Sequence, residues 1–297
     1  MSENVLNINW YPGHMAKARR QMEEQLKMVD IVIELRDARI PLASRNPILD
    51  EMAPQKPRLI VLSKIDLADE AETAKWVESL KAGENRDCLA LDIAKDKTVK
   101  KQIVTACAEL TKEKKERMIR RGIRPRAMRA MACGIPNAGK STLINRIAGR
   151  TSAKTADKPG VTRALTWIKA DSTLEILDTP GVLWPKFEDP RTGSLLAATG
   201  AINENILDLK EIAMDTIHVI REYYPGILET EYRAEEGTRT DVMLERIAET
   251  RHLLKENNTL DMDRAASVFL HELRRGKLGR LSLEWINNDE TEKSLSE

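Results

Sequence analysis

Gly134-Ile135-Pro136-Asn137-Ala138-Gly139-Lys140-Ser141 fits the pattern GxxxxGK[ST], and its surroundings decide how the chain is read. Ala127 to Cys133 ahead of it has strand character, and Thr142 to Ala148 behind it carries helical periodicity. A glycine-rich loop between a strand and a helix turns successive backbone N–H groups inward at a helix N-terminus, which makes a cradle for phosphates. Asn137, Ala138, Gly139, Lys140, Ser141 and Thr142 would form that nucleotide-binding stretch. Lys140, the first catalytic candidate, would bridge the β and γ phosphates, and the Ser141 hydroxyl would ligate Mg²⁺. A plain glycine-rich turn is the bland alternative; the flanking strand and helix argue against it.

Upstream, Asp30-Ile31-Val32-Ile33-Glu34-Leu35 and Arg58-Leu59-Ile60-Val61-Leu62 are short β-branched runs of the kind found in buried parallel strands. Glu70 to Lys81 and Thr98 to about Arg121 read as helices, and Leu174 to Leu177 as a further strand. This alternation predicts an α/β fold, a doubly wound sheet, over residues 1–186. His14 to Val29 places Met15, Ala18, Met22, Leu26 and Val29 on one helical face. Beyond Pro190 the strand signals stop. Asp208 to Glu222, Asp241 to Lys255 and Asp263 to Arg275 repeat the helical period, the last halting at Gly276. A small all-α domain is therefore expected over 187–286, and an acidic, disordered tail over 287–297.

The whole chain has 297 residues, 48 Lys+Arg against 47 Asp+Glu, and 41% hydrophobic side chains, which excludes a mini-protein and a uniformly basic coat for nucleic acid. Cys88, Cys107 and Cys133 are widely spaced and form no CxxC pair, so buried reduced thiols are expected. No apolar run reaches the length of a membrane span and no signal-peptide core precedes Trp10, so a cytoplasmic chain, not bound to membranes, is expected.

Asp178-Thr179-Pro180-Gly181 follows the strand Leu174 to Leu177, 37 positions after Ser141. DxxG there would place the Asp178 carboxylate near Mg²⁺, through water, and the Gly181 N–H near the γ-phosphate. Alone it is a common turn; behind a phosphate loop the nucleotide reading wins. Between the two, Thr162 in Lys158-Pro159-Gly160-Val161-Thr162-Arg163 offers a second hydroxyl for Mg²⁺, with a plain β-turn as the alternative. Ser63-Lys64-Ile65-Asp66, after the strand Arg58 to Leu62, suggests the base. The Asp66 carboxylate can accept from guanine N1–H and the 2-amino group, which adenine lacks, while the Lys64 stem lies over the base plane. A lone SKxD is equally a surface turn, so the guanine reading depends on the phosphate loop.

In ordinary small GTPases the base-reading motif comes last, whereas here it precedes the phosphate loop by about 70 residues. The order is circularly permuted. With Trp10-Tyr11-Pro12-Gly13-His14-Met15-Ala16-Lys17-Ala18-Arg19-Arg20, Asp37-Ala38-Arg39-Ile40-Pro41, Ser44-Arg45-Asn46-Pro47 and Arg274-Arg275-Gly276-Lys277-Leu278-Gly279-Arg280, the sequence resembles the circularly permuted YlqF/YawG-type GTPases over nearly its whole length. The resemblance implies binding of GTP and GDP and hydrolysis of GTP. It also implies action on precursors of the large ribosomal subunit, with rRNA and ribosomal proteins as partners and the chain a monomer. It points to His14 for water positioning, to Asn137 as a K⁺ ligand, and to Ala94 in Ile93-Ala94-Lys95 for a backbone contact to the base. Two departures stand out: Ser63 replaces the family's Asn, and Ile93 replaces a serine, so guanine preference is expected to be relaxed more than abolished.

The residue after DxxG is Val182, which cannot orient water as a glutamine would, so catalytic help must come from elsewhere. Eleven Lys/Arg face three Glu between Lys100 and Arg129, a net of +8 and an electrostatic footprint for phosphate backbone. Lys17, Arg19 and Arg20, and Arg274, Arg275, Lys277 and Arg280, add two further RNA-binding patches. A GTPase activated by a large-subunit precursor and a nucleotide-gated RNA-binding or signalling module are the competing readings; an adenine-nucleotide phosphotransferase is disfavoured by Asp66.

Overall fold

The computed structural model describes residues 20, 22–149, 166–179, 189–202 and 208–286. Its centre is a six-stranded sheet built from β1 (Ile31–Asp37), β2 (Arg58–Ser63), β3 (Arg86–Ala90), β4 (Met128–Gly134), β5 (Thr166–Lys169) and β6 (Leu174–Asp178), in the order β3-β2-β1-β4-β6-β5. All pairings are parallel except β5 with β6. β5 forms an antiparallel edge on an otherwise parallel sheet. Its four residues are too few to show a period.

Side chains alternate across the strands as a pleated sheet requires. Ile31, Ile33 and Leu35 join Leu59, Val61, Ala130 and Ala132 on one face, under α3 (Val99–Leu110) and α5 (Lys140–Ala148). On the other face Val32, Met131, Cys133 and Leu177 pack with Met22, Leu26 and α1 (Pro47–Met52), while Ile60 and Leu62 pack with Trp76 and Leu80 of α2 (Glu70–Lys81). Both faces are covered, which is why β1 and β2 are buried throughout. The three cysteines are buried and unpaired, and burial pushes Cys88 and Cys107 up to about 12.

The expected helix from Thr98 to Arg121 is two helices. α3 stops at Thr111 (φ −107°, ψ 7°), whose N–H and hydroxyl both bond Cys107 O (3.1 and 2.6 Å), and α4 (Lys112–Arg120) restarts beyond it with no buried residue. These helices lie on the crossover from edge strand β3 to central β4, which passes β2 and β1. The permuted order demands this connection.

After residue 189 the structure is helical: α6 (Pro190–Ala198), α7 (Leu209–Tyr223), α8 (Ile227–Glu231), α9 (Thr240–Thr250) and α10 (Met262–Arg274). Asp189, Asp208 and Asp261 cap α6, α7 and α10 through their carboxylates. The expected Asp241 to Lys255 helix stops at Thr250, because the chain reverses at His252 (φ 54°) and Leu254 bridges to Leu260. Among the described residues no helix is long and apolar enough to cross a membrane.

From Arg280 the chain returns to the sheet. Leu281 N–H bonds Leu67 O (2.9 Å), Leu283 N–H bonds Arg39 O (2.8 Å), and Trp76 Nε1–H donates to Glu284 O (3.3 Å). Trp285 meanwhile stacks on Tyr223 of α7, with ring centroids 3.4 Å apart. The Glu284 carboxylate accepts from the N–H groups of Leu42 and Ala43 (2.7 and 2.9 Å). Burial outweighs those bonds and pushes it up to about 7. Between the ordinary glutamate value and 7 the folded carboxyl keeps a proton that the unfolded one has lost, so stability falls as pH rises through that window. Glu284→Gln is expected to flatten this part of the profile in urea unfolding at about pH 5 and about pH 8. An unchanged slope would contradict it.

Candidate nucleotide-binding site

From β1 the chain proceeds to β2 and β3 on one side, and from β4 to β6 and β5 on the other. The C-terminal ends of β1 and β4 therefore form a topological switch point, where open α/β sheets bind ligands. The loops after β1, β2, β3, β4 and β6 open on this edge, and they carry every motif for phosphate or base that lies among the described residues.

Gly134 faces Leu35 in the β1–β4 register, and a Cβ there would sit 2.7 Å from Leu35 O. Only glycine lets the phosphate loop leave β4 at this closeness. Asn137 (φ 60°) and Gly139 (φ 89°) adopt left-handed conformations that turn the loop into α5, whose N-cap is Gly139. Lys140 opens the helix, and its Nζ lies 2.6 Å from Asp178 Oδ1 at the end of β6, both side chains being buried. The ion pair thus joins the phosphate loop to the DxxG strand. Ser141 is on the same first turn, so its hydroxyl and the Asp178 carboxylate are hard oxygen donors held on adjoining elements. Thr179 Oγ1 donates to Ala132 O (2.8 Å), which fixes the start of that turn on β4.

Ser63 is tied into the fold on both sides. It is buried, with its Oγ 2.7 Å from Ala138 O and 3.0 Å from Arg36 O, so it ties the end of β2 to the phosphate loop and to β1. Lys64 (φ 56°) turns back to pair with Asp37 at 3.0 Å. Burial pushes the Lys64 ammonium down, and Asp37 opposes that shift. Burial would also raise Asp37, but Arg39, bonded through Nε and Nη2 at 3.0 and 2.7 Å, and Lys64 hold it well below the usual carboxylate range. Asp66 is exposed, and Lys95 reaches it at 3.3 Å. Arg146 of α5 donates to the carbonyls of Ile93 and Ala94. The Ser63 to Asp66 and Ile93 to Lys95 loops thereby meet beside the phosphate loop.

The roles of Asp37 and Arg39 were not read from the sequence, although Asp37-Ala38-Arg39 stood out as a motif. Nor was Gly200, whose carbonyl accepts from Asn137 Nδ2 at 2.7 Å and links the phosphate loop to the stretch after α6. His14, Lys17, Arg19, Thr162 and Gly181 lie outside the described residues; Arg20 is exposed. The C-terminal patch is corrected in part. Arg274 turns inward to Ala197 O and Ala198 O (2.7 and 2.8 Å), and burial pushes it down to about 10. Arg280 is engaged with Ala68 O, Ile65 O and Glu70. Arg275, Lys277 and Arg280 are all exposed, and Lys277 reaches Glu272 at 3.4 Å.

A family model described as 50S ribosome-binding GTPase matches residues 129–260. A ribosome biogenesis GTPase A from Bacillus cereus is 48% identical over 279 residues, covering 93% of this chain and 93% of the relative. This chain belongs to the ribosome biogenesis GTPase A family. The Thermotoga maritima member is 31% identical over 93% of this chain and 94% of its own. The mouse mitochondrial ribosome-associated GTPase 1 is 32% identical, with 93% and 89% covered. Among solved structures, GNP-bound YlqF from T. maritima aligns with a TM-score of 0.67 at 27% identity, over 91% of this chain and 98% of that one. Membership makes the chain a GTPase acting in ribosome biogenesis, which binds GTP and GDP. The switch-point crevice is where its motifs converge.

Proposed function

We propose that this GTPase binds a precursor of the large ribosomal subunit while loaded with GTP, and that the particle triggers hydrolysis, which releases the protein. The observation that carries this reading is α4. It has no buried residue, and Lys112, Lys115, Arg117, Arg120 and the following Arg121 and Arg124 face solvent with too few acids to pair them. Such a surface suits the phosphates of folded rRNA. Lys17, Arg19, Arg20, Arg275 and Lys277 offer further cations for rRNA, and ribosomal proteins complete the partner. The protein acts as a monomer in the cytoplasm.

In this reading Asp66 accepts from the guanine donors, the Lys64 stem covers the base and Ala94 contacts it. The loop N–H groups and Lys140 hold the β and γ phosphates, so Lys140 exchanges part of its bond to Asp178 for the nucleotide. Gly181 N–H meets the γ-phosphate. Ser141, Thr162 and Asp178 would hold Mg²⁺, which when bound offsets charge on the phosphate oxygens. The carbonyl end of Asn137 would ligate K⁺. His14 as a neutral imidazole orients the attacking water, the role that Val182 cannot fill. His14→Ala is expected to bind precursor particles as the wild type does and to lose their stimulation of GTP hydrolysis. Full stimulation of that variant would overturn the role of His14.

A further inference from the structure

The turn that carries Asp66 is built with its carbonyls facing away from its own backbone. Only Leu67 N–H to Lys64 O (2.9 Å) closes it internally. Three successive residues of the C-terminal stretch supply the rest. Arg280 Nη2 donates to Ile65 O (3.1 Å) and Nε to Ala68 O (2.8 Å), Leu281 N–H donates to Leu67 O (2.9 Å), and Asp69 N–H donates to Ser282 Oγ (3.2 Å). The third guanidinium nitrogen, Nη1, meets Glu70 Oε2 at 3.0 Å. A planar fork bonded at all three nitrogens fixes the spacing of its acceptors in a way that an ammonium cannot. The Asp66 carboxylate itself has as its side-chain tie an exposed lysine at 3.3 Å, so its direction is set by the backbone on either side.

We propose that Arg280, with Leu281 and Ser282 beside it, positions the guanine-reading turn and sets the affinity and selectivity for the base. This rests on the reading of Asp66 given above. Arg280 is a positioning residue: it acts on the base through the carbonyls of Ile65 and Ala68. The same stretch supports the other half of the base site, because Leu283 N–H holds Arg39 O (2.8 Å), Arg39 holds Asp37, and Asp37 holds Lys64. The phosphate contacts stand on β4 and α5, elements that Arg280 does not touch, so loss of the fork changes base reading and leaves phosphate handling in place.

The test is equilibrium binding of GDP and of inosine diphosphate, which lacks the 2-amino group, to the full chain. Wild type should favour GDP. Arg280→Ala should weaken GDP by about tenfold, the scale of one to two lost hydrogen bonds to a site, and bring the GDP to IDP ratio toward one. In turnover the same variant should raise KM for GTP with kcat unchanged. Arg280→Lys, which can satisfy one carbonyl, should fall between. Ser282→Ala, a milder change that removes the tie to Asp69 N–H, should lower the ratio by less and remains informative if Arg280→Ala does not fold. Asp66→Ala separates the two readings. If it leaves the GDP to IDP ratio intact, Asp66 does not read the base. If it abolishes the ratio while Arg280→Ala and Ser282→Ala keep the wild-type ratio, the positioning role of the C-terminal stretch is wrong.

Discussion

Lys140→Ala is expected to lower GTP binding and turnover by about two to three orders of magnitude, the equivalent of breaking a buried ion pair. Two effects act in one direction. The variant loses the cation proposed to hold the phosphates, and it leaves the Asp178 carboxylate, now 2.6 Å from Lys140 Nζ, without that partner beside an anionic ligand. Asp178 is buried at the end of β6, so water cannot fully replace the ammonium. Equilibrium binding of GDP and single-turnover hydrolysis of GTP measure the loss. Thermal unfolding of the variant without nucleotide separates it from a general loss of fold. Near wild-type affinity in a folded variant would remove the phosphate loop from this account.

Asp66→Asn carries the second large effect, because it reverses a hydrogen-bond pattern instead of deleting one. In the proposed reading the carboxylate accepts from guanine N1–H and from the 2-amino group; an amide would direct its own N–H groups at that amino group. Xanthine carries a 2-oxo group in place of the amine, so the amide oxygen can accept from N1–H while the amide nitrogen donates to the 2-oxo group. Two charge-assisted bonds lost on GTP amount to about 10²- to 10⁴-fold, and preference should pass to XTP. Competition of GTP and XTP for hydrolysis reads the change. Asp66 is exposed and its visible partner is Lys95 at the surface, so the substitution should leave the fold in place. Unaltered preference for GTP would show that another residue reads the base.

The centre of the sheet was legible because β1 and β2 are buried on both faces and carry short runs rich in Ile, Val and Leu, and because a phosphate loop must leave a strand and enter a helix. Motif order announced the permutation, and the strand order shows why it is tolerated. β4, β5 and β6 fill one half of the sheet and β1, β2 and β3 the other, so either half can come first if a crossover joins them. What local reading could not see was competition for groups by distant parts of the chain. The break at Thr111 (φ −107°, ψ 7°) has no proline or glycine to announce it. Ser63 stands where a base contact was expected, yet its neighbours Ala138 and Arg36 come from other strands' loops and edges. Arg274 and Arg280 count as surface charge in a sequence, but their guanidiniums serve carbonyls 76 and 212 positions away. Counting cations could not show which of them are spent on carbonyls within the fold.

The proposal that a large-subunit precursor activates this GTPase is tested most directly by the rate of GTP hydrolysis, at fixed enzyme, with increasing amounts of purified precursor particle. The account predicts stimulation that saturates as the enzyme is bound and that weakens as salt screens the contacts of α4 with phosphate. A rate that stays at the basal value while the protein cosediments with the particle would contradict it.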